Sequence, residues 1–478
     1  MTDAELRQEA ATVRDTGGRK RGGGRLVLTA ALLGFFMISL DATAVNVALA
    51  AVGRSLGGAT SGLQWVVDGY TVPLAALLIS AGAVSDRRGA RRVFGWGLAV
   101  FAAASAGCGL APGLAVLITA RVVQGGAAAV MLPSSLALVR QAFDDAPARA
   151  RAVAVWSAGG AVAMAAGPVL GGILTSTVGW RAIFFVNLPV GAAAAVVLAL
   201  RARRSPRLAA PLDPAGQVTA VLGLAALTFG VITGGATGFA RPPVVAALAV
   251  AVLAGGCFLA VESKVARPMV PLALFRSPAV VTCVVTGFSI NAAFYGVAFL
   301  LGLYFQQVLG EPAITAGLLF LPMTGLLAVA NLVSARVAAR WGHHVPVRAG
   351  LCVGALGMLL LAFLPVTLGG RTGMEIALVP AGAGLGFALP SLTFLLLDSL
   401  PAAQAGLAGG LFNAGRQAGG ALAVATFGAL VSGSFVAGLR ISMLISAAAL
   451  LGSTAAAFAV FRRGPGPGPG PGPGRRPQ

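Results

Sequence analysis

Asp41 stands alone inside a long apolar run, Leu40-Asp41-Ala42-Thr43-Ala44-Val45-Asn46. Holding an ionised carboxylate at membrane depth is costly, so such a residue marks a functional site by default. A carboxyl group there can exchange a proton as its surroundings alternate, which couples proton movement to solute movement. A second lone charge, Arg121, opens Arg121-Val122-Val123-Gln124-Gly125 in another apolar run. Counting about 1.5 Å per helical residue across a core about 30 Å thick, the two residues fall at similar depth. An arginine that approaches Asp41 favours its ionised form, and one that withdraws lets it take a proton. Arg121 could instead pair only with a backbone or polar group. Gln124, one turn on, and Asn46, further along the Asp41 run, are substrate or cavity candidates. For Asn46 the simpler role is a hydrogen bond to a neighbouring helix.

Two more interior charges invite a role. Asp68, in Trp65-Val66-Val67-Asp68-Gly69-Tyr70, could titrate or attract a cation. The preferred reading makes it a solvated residue beside an interfacial Trp and Tyr belt. Arg416 falls near mid-depth in its run and is expected to face the bundle interior, where it gates, binds an anionic group or ties helices together. The segment Gly82 to Arg92 combines Gly82 and Gly89, suited to a tight turn and close backbone approach, with Asp86, Arg87, Arg91 and Arg92. Asp86 can accept hydrogen bonds from an arginine or a helix N-terminus, and Arg91 and Arg92 can pair with carboxylates. Such a cluster would latch one conformation and release when two halves rock.

The elements that position these residues are membrane helices. Apolar residues make up 57% of the 478 and charged residues 10%, with a mean hydropathy of +0.89, which excludes an ordinary soluble protein. Fourteen apolar runs are long enough to span: 26–50, 63–84, 93–111, 114–139, 151–174, 182–200, 215–234, 243–261, 278–304, 312–335, 347–366, 374–397, 405–431 and 438–461. With the amino terminus inside, cytoplasmic segments hold 27 of the 34 basic residues. The outward loops hold only Arg54, Arg181, Arg241, Arg371 and Arg440. That asymmetry predicts both termini in the cytoplasm of a multi-pass protein of the cell's inner membrane. The first run is too long for a signal-peptide core and is expected to remain as an anchor.

The links at 201–214 and 262–278 divide the chain into six, two and six spans. The expected organisation is a disordered amino terminus at 1–25 and a six-helix bundle at 26–200. An inserted helix pair at 215–261, a second six-helix bundle at 278–461 and a disordered Pro/Gly tail at 462–478 follow. The solute path then runs between the two bundles. Gly167-Pro168-Val169-Leu170-Gly171-Gly172 in the fifth span has a faint echo in Gly415-Arg416-Gln417-Ala418-Gly419-Gly420, the fifth span of the other half.

The net charge of +20 is scattered between apolar runs without an aromatic platform, which argues against nucleic acid. Cys108, Cys257, Cys283 and Cys352 occupy separate spans and are expected to be small apolar packers, with no metal site or disulfide framework. No nucleotide loop or paired nucleophile points to an enzyme, and no cofactor is expected beyond protons as the coupling ion. The residues by themselves reach a proton-linked transporter.

The chain resembles the major facilitator superfamily, within its fourteen-span drug:proton antiporter family. Residues 82–93 are similar to the signature Gly-x-x-x-Asp-Arg-x-Gly-Arg-Arg, with Ala90 in place of the usual arginine after Gly89 and the basic pair at Arg91-Arg92. Leu40 to Leu49 resembles the family's first-span motif, with Ala44 where isoleucine is common. Arg121 to Gly125 resembles its fourth-span motif, linked to proton transfer. Gly167, Pro168, Gly171 and Gly172 match the fifth-span antiporter motif associated with exporters, and Trp180-Arg181 through Gly191 resembles the start of its sixth span. The resemblance implies an all-α fold of two six-helix bundles plus two inserted helices, and a monomer. It also implies efflux of small lipophilic organic compounds, drugs and antibiotics among them, in exchange for protons. A proton-coupled metabolite importer or exchanger is the alternative, and a non-transporting membrane sensor a more distant one.

Overall fold

A computed structural model of the chain describes residues 3–143, 145–201, 205, 213–266, 268–367, 370–401 and 404–461. Hydrocarbon offers no partner for backbone N–H and C=O groups, so an apolar run closes its hydrogen bonds internally as a helix. Among the described residues fourteen long helices form and no strand does. The first six are α1 (Asp3–Leu56), α2 (Thr60–Arg88), α3 (Ala90–Gly109), α4 (Leu114–Ala142), α5 (Ala146–Thr177) and α6 (Ala182–Leu200). Next come α7 (Pro214–Thr237) and α8 (Pro242–Lys264). The last six are α9 (Pro278–Val308), α10 (Ala313–Trp341), α11 (His344–Thr367), α12 (Gly370–Asp398), α13 (Ala405–Leu430) and α14 (Phe435–Val460).

Twelve of these helices are long and apolar enough to cross a membrane. The other two are α3 and α13. α3 begins with Arg91 and Arg92 and is rich in small residues, while α13 carries Asn413, Arg416 and Gln417 among its glycines. α1 is helical from Asp3, where the sequence reading expected disorder; its opening stretch has Ala, Glu and Arg, all good helix formers, and its membrane-grade part starts at Gly24. The Pro/Gly tail at 462–478 lies outside the described residues. Cys108 and Cys283 are buried, but Cys257 and Cys352 are exposed on the bundle surface rather than packed inside.

Without a hydrophobic drive between helices in lipid, close backbone approach holds them together. A Cβ on Gly125 of α4 would run into the backbone of Tyr70 on α2, and one on Gly384 of α12 into Gly354 on α11. α7 and α8 pack on each other, with α7 touching α2 and α13. Of α8 only Val244, Ala254 and Glu262 are buried, so the pair sits at the periphery.

Helices α1–α6 and α9–α14 form two halves that meet along a seam from mid-span to the end carrying the α1–α2 turn. Gln64 Nε2 donates to the carbonyls of Ala425 (2.7 Å) and Val424 (3.1 Å). Gln306, presented by a π turn ending α9, donates to Val47 O at 2.7 Å. The Ile314 N–H donates to Ser176 Oγ at 3.0 Å, and Thr324 Oγ1 to Ala165 O at 3.3 Å. At the opposite end, which carries the α2–α3 turn, no hydrogen bond or ion pair joins the halves among the described residues.

Candidate functional site

Five helices of the first half converge on Asp41. Gly125 and Gly69 bring α4 against α2: a Cβ on Gly69 would lie 3.3 Å from Ile118 O and 3.5 Å from Arg121 Cβ. One turn from Gly125, Arg121 therefore reaches across α2 to α1. Its Nη1 pairs with Asp41 Oδ2 and donates to Gln124 Oε1 at 2.9 Å, while Nε donates to Val66 O at 3.0 Å. The guanidinium carbon lies 4.3 Å from the centroid of the Tyr70 ring, whose hydroxyl donates to Ile38 O at 3.2 Å. Asp41 Oδ1 accepts from Gln124 Nε2 and from Asn187 Nδ2, each at 3.1 Å. Both amides also donate to Ser105 Oγ, which donates onward to Phe184 O at 2.8 Å. Asp41 and Arg121 are 2% and 1% exposed, so the pair is sealed from solvent within the first half.

An ion pair this deep is held by geometry rather than by its own Coulomb energy. Desolvating two charges costs several kcal/mol each, and the surrounding amides and carbonyl are what make the arrangement tolerable. Removing or protonating one member would leave the other exposed to that cost. Chemically, the cluster is an acid whose charge is tied to the position of a neighbouring helix.

Sequence reading passed over Ser105, Asn187 and Tyr70 as parts of this cluster. Asn187, an amide in an otherwise apolar run two residues before Pro189, was the one visible signal. Tyr70 does not belong to an interfacial belt: it is wholly buried against Arg121, and only Trp65 is partly exposed, near Phe229.

Asp68 is not a solvated residue. It is fully buried, with Oδ1 accepting from Thr71 Oγ1 at 3.0 Å and Oδ2 without a hydrogen-bond partner. It lies one turn from Gln64 on the α2 stripe that meets α13, so the seam covers it. Asn46 also departs from expectation: its Nδ2 bonds carbonyls of its own helix, Ala42 at 3.2 Å and Thr43 at 3.4 Å. A side chain buried on α1 finds those carbonyls nearer than any neighbouring donor or acceptor. Arg416 lies apart from the Asp41 cluster, in the second half, bonded to Asn291 and Asn413.

The α2–α3 turn uses Gly89 at φ 89°, a left-handed conformation that favours glycine. Gly82 meets nothing within 4 Å, so close approach does not require glycine there. Asp86, Arg87, Arg88 and Arg92 are exposed at the open end. Arg91 donates to Ala199 O at 3.2 Å, and its N–H to Ser205 Oγ at 3.1 Å, rather than to carboxylates. Among the described residues, neither Arg91 nor Arg92 forms an ion pair.

The Gly167–Gly172 segment divides its contacts. Gly167 and Gly171 fit α5 against Thr43 and Ala44 of α1, whereas Gly172 and Pro168 meet Ala313 and Gly317 of α10 in the other half. In the second half, Gly419 and Gly420 similarly admit Phe288 and Tyr295 of α9.

The sequence profile described as Major Facilitator Superfamily matches residues 31–424. The chain is 38% identical to the methylenomycin A resistance protein of Streptomyces coelicolor, over 92% of this chain and 93% of that one. It is 35% identical to the tetracenomycin C resistance and export protein of Streptomyces glaucescens, over 85% and 75% respectively. Among solved structures it superposes on a POT family transporter in complex with 5-aminolevulinic acid, with a TM-score of 0.70 and 13% identity over 92% of this chain and 97% of that one. That likeness speaks to the fold alone.

Proposed function

This chain belongs to the Major Facilitator Superfamily, and on that premise we propose that it is a fourteen-span antiporter exporting lipophilic organic compounds in exchange for protons. It is a multi-pass membrane protein, and the names of its relatives support resistance and export as its role. The observation that carries proton coupling is the buried Asp41–Arg121 pair, a lone acid held by a lone base from a neighbouring helix. α3 and α13, at 20 and 26 residues, are long enough to supply the remaining two of fourteen spans, which supports that count. The basic-residue asymmetry puts both termini and the α2–α3 turn in the cytoplasm.

In that orientation the closed seam faces outward and the gap opens inward. A compound from the cytoplasm or inner leaflet enters between the halves. Closing the inner end and parting the seam then delivers it outside. Proton exchange at Asp41 is linked to this rocking because α1 carries Asp41 and also packs against α9 across the seam. The protein acts as a monomer, and lipid surrounds its exposed apolar faces.

The test is accumulation of lipophilic fluorescent drugs by inside-out vesicles. Accumulation that requires an acid vesicle interior is the expected result. Gradient-independent equilibration would sink the coupling, and uptake in the reverse direction would favour an importer. Asp86 supplies a second check. As a cytoplasmic latch disengaged in this conformation, it should act only when the inner end closes. Asp86→Asn is therefore expected to slow turnover while drug affinity in detergent stays unchanged; an altered affinity with normal turnover would refute the latch.

A further inference from the structure

Two arginines lie at mid-span, and their surroundings differ. Arg121 has a carboxylate, a backbone carbonyl and an amide oxygen. Among the described residues, Arg416 hydrogen-bonds neutral amides and no acid: its Nε donates to Asn291 Oδ1 at 3.0 Å and its Nη1 to Asn413 Oδ1 at 3.3 Å, with the Phe412 ring 5.8 Å away. Asn291 is itself oriented, donating from Nδ2 to Gln417 Oε1 at 3.1 Å. No hydrogen bond engages Nη2 among the described residues.

The missing counter-charge is a property of the whole half. Between residues 278 and 461 the chain has three acids, Glu311, Glu375 and Asp398. Glu311 and Glu375 are committed to Arg371 at 3.2 and 3.1 Å, near the α9–α10 turn. Asp398 ends α12 and lies beside His343. None forms an ion pair with Arg416. Amides can aim a guanidinium, but they cannot balance its charge in a low dielectric.

The position of Arg416 points to the gap between halves. On α13, Ala425 and Val424 receive Gln64 of the opposite half. Two and three turns nearer the end with the α2–α3 turn, the same side of the helix carries Gln417 and Asn413, both half-buried, with Arg416 between them and α9. Tyr295 of α9 packs against Gly420 of α13, one turn from Arg416. Arg416 itself is half-buried with its stem packed toward Gly287 of α9, and its guanidinium reaches Asn413 on the side of α13 that turns to the first half.

We propose that Arg416, aimed by Asn291 and Asn413, is a recognition site for a carboxylate or similar planar oxyanion on the transported compound. The amides take one N–H of Nε and one of Nη1, and the N–H groups of Nη2 remain to donate to a carboxylate oxygen. The substrate class that follows is a lipophilic body bearing one weakly acidic group. The proposal rests on the export reading above, since it takes the gap to be the solute path.

The test uses the purified full-length protein and two matched pairs of probes: 2-naphthoate with 2-naphthamide, and 4-phenylbenzoate with 4-phenylbenzamide. Binding is followed as the ligand-dependent shift of the thermal unfolding midpoint. At least one acid should bind wild type more tightly than its amide by about tenfold or more. Arg416→Gln should erase that preference while leaving amide binding in place, and Arg416→Lys should keep part of it. If Arg416→Gln does not fold, Asn413→Ala takes its place, with weakened acid binding and unchanged amide binding expected. Equal binding of acid and amide, failure of both acids to bind, or an acid preference that survives Arg416→Gln would each overturn the proposal. Accumulation of a neutral fluorescent drug in inside-out vesicles is measured in the same variants. Wild type that binds the acids through Arg416 but accumulates nothing would sink the export reading and leave the anion site standing.

Discussion

Asp41→Asn is expected to reduce gradient-driven accumulation to the level of vesicles lacking the protein, while downhill equilibration of the drug persists. The amide has nearly the volume of the carboxylate, and its Oδ1 can still accept from Gln124 and Asn187. What it lacks is a proton to exchange and a charge for Arg121. Arg121 keeps the Val66 carbonyl, Gln124 and the face of Tyr70, so the half should still fold with a lowered unfolding midpoint. The contrasting change is Arg121→Ala. It strands a buried carboxylate among amides and Ser105, and breaking a buried pair from one side costs about 3–5 kcal/mol. Low yield of Arg121→Ala beside well-folded, uncoupled Asp41→Asn would agree with this assignment. Asp41→Asn that still accumulates drug against a gradient would move the coupling site elsewhere.

Gly172→Val should bias the protein toward the outward-open state, and its neighbour Gly171→Val should not. A Cβ at Gly172 would lie 2.5 Å from Ala313 O and 3.1 Å from Ile314 Cα, atoms of the opposite half. Parting the halves relieves that clash, so the seam opens rather than the fold failing. A Cβ at Gly171 would lie 2.6 Å from Ala44 O and 3.0 Å from Ala44 Cα, within the same half. No rocking motion relieves that contact, and overpacking of this kind costs about 1–3 kcal/mol of stability. The readout is labelling of Val47→Cys, buried at the seam, by a membrane-impermeant maleimide in a background without the four native cysteines. Gly172→Val should raise its labelling several-fold and stall transport. Gly171→Val should lower the unfolding midpoint without raising labelling. Equal behaviour of the two variants would show that the seam is not the moving contact.

Much of this was open to inspection in the residues. A lone charge in an apolar run is conspicuous because hydrocarbon tolerates so few, and Asp41, Arg121 and Arg416 announce themselves for that reason. Helical rise alone puts Asp41 and Arg121 at one depth, since both helices cross the same slab. Long apolar runs specify helices because no other backbone satisfies itself in lipid, and the placement of arginines orients them. Asp68 shows the limit of such reasoning. A carboxyl three residues from a tryptophan reads as interfacial, yet the stripe of α2 that carries it is covered by a helix more than three hundred residues away.

Sequence therefore determined which residues carry charge, at what depth, and on which helices. Only the tertiary structure decided their partners: that Asn187 and Ser105 complete the Asp41 cluster, that Arg416 is held by the amides of Asn291 and Asn413, and that Gly171 packs within a half while Gly172 packs across the seam. The physical reason is the nature of each signal. Burial in lipid is a property of a residue and its local run, whereas a hydrogen bond or a steric contact depends on the azimuth of two helices. Small residues and neutral amides carry little hydropathy with which to record that azimuth, so the packing of distant backbones has to supply it.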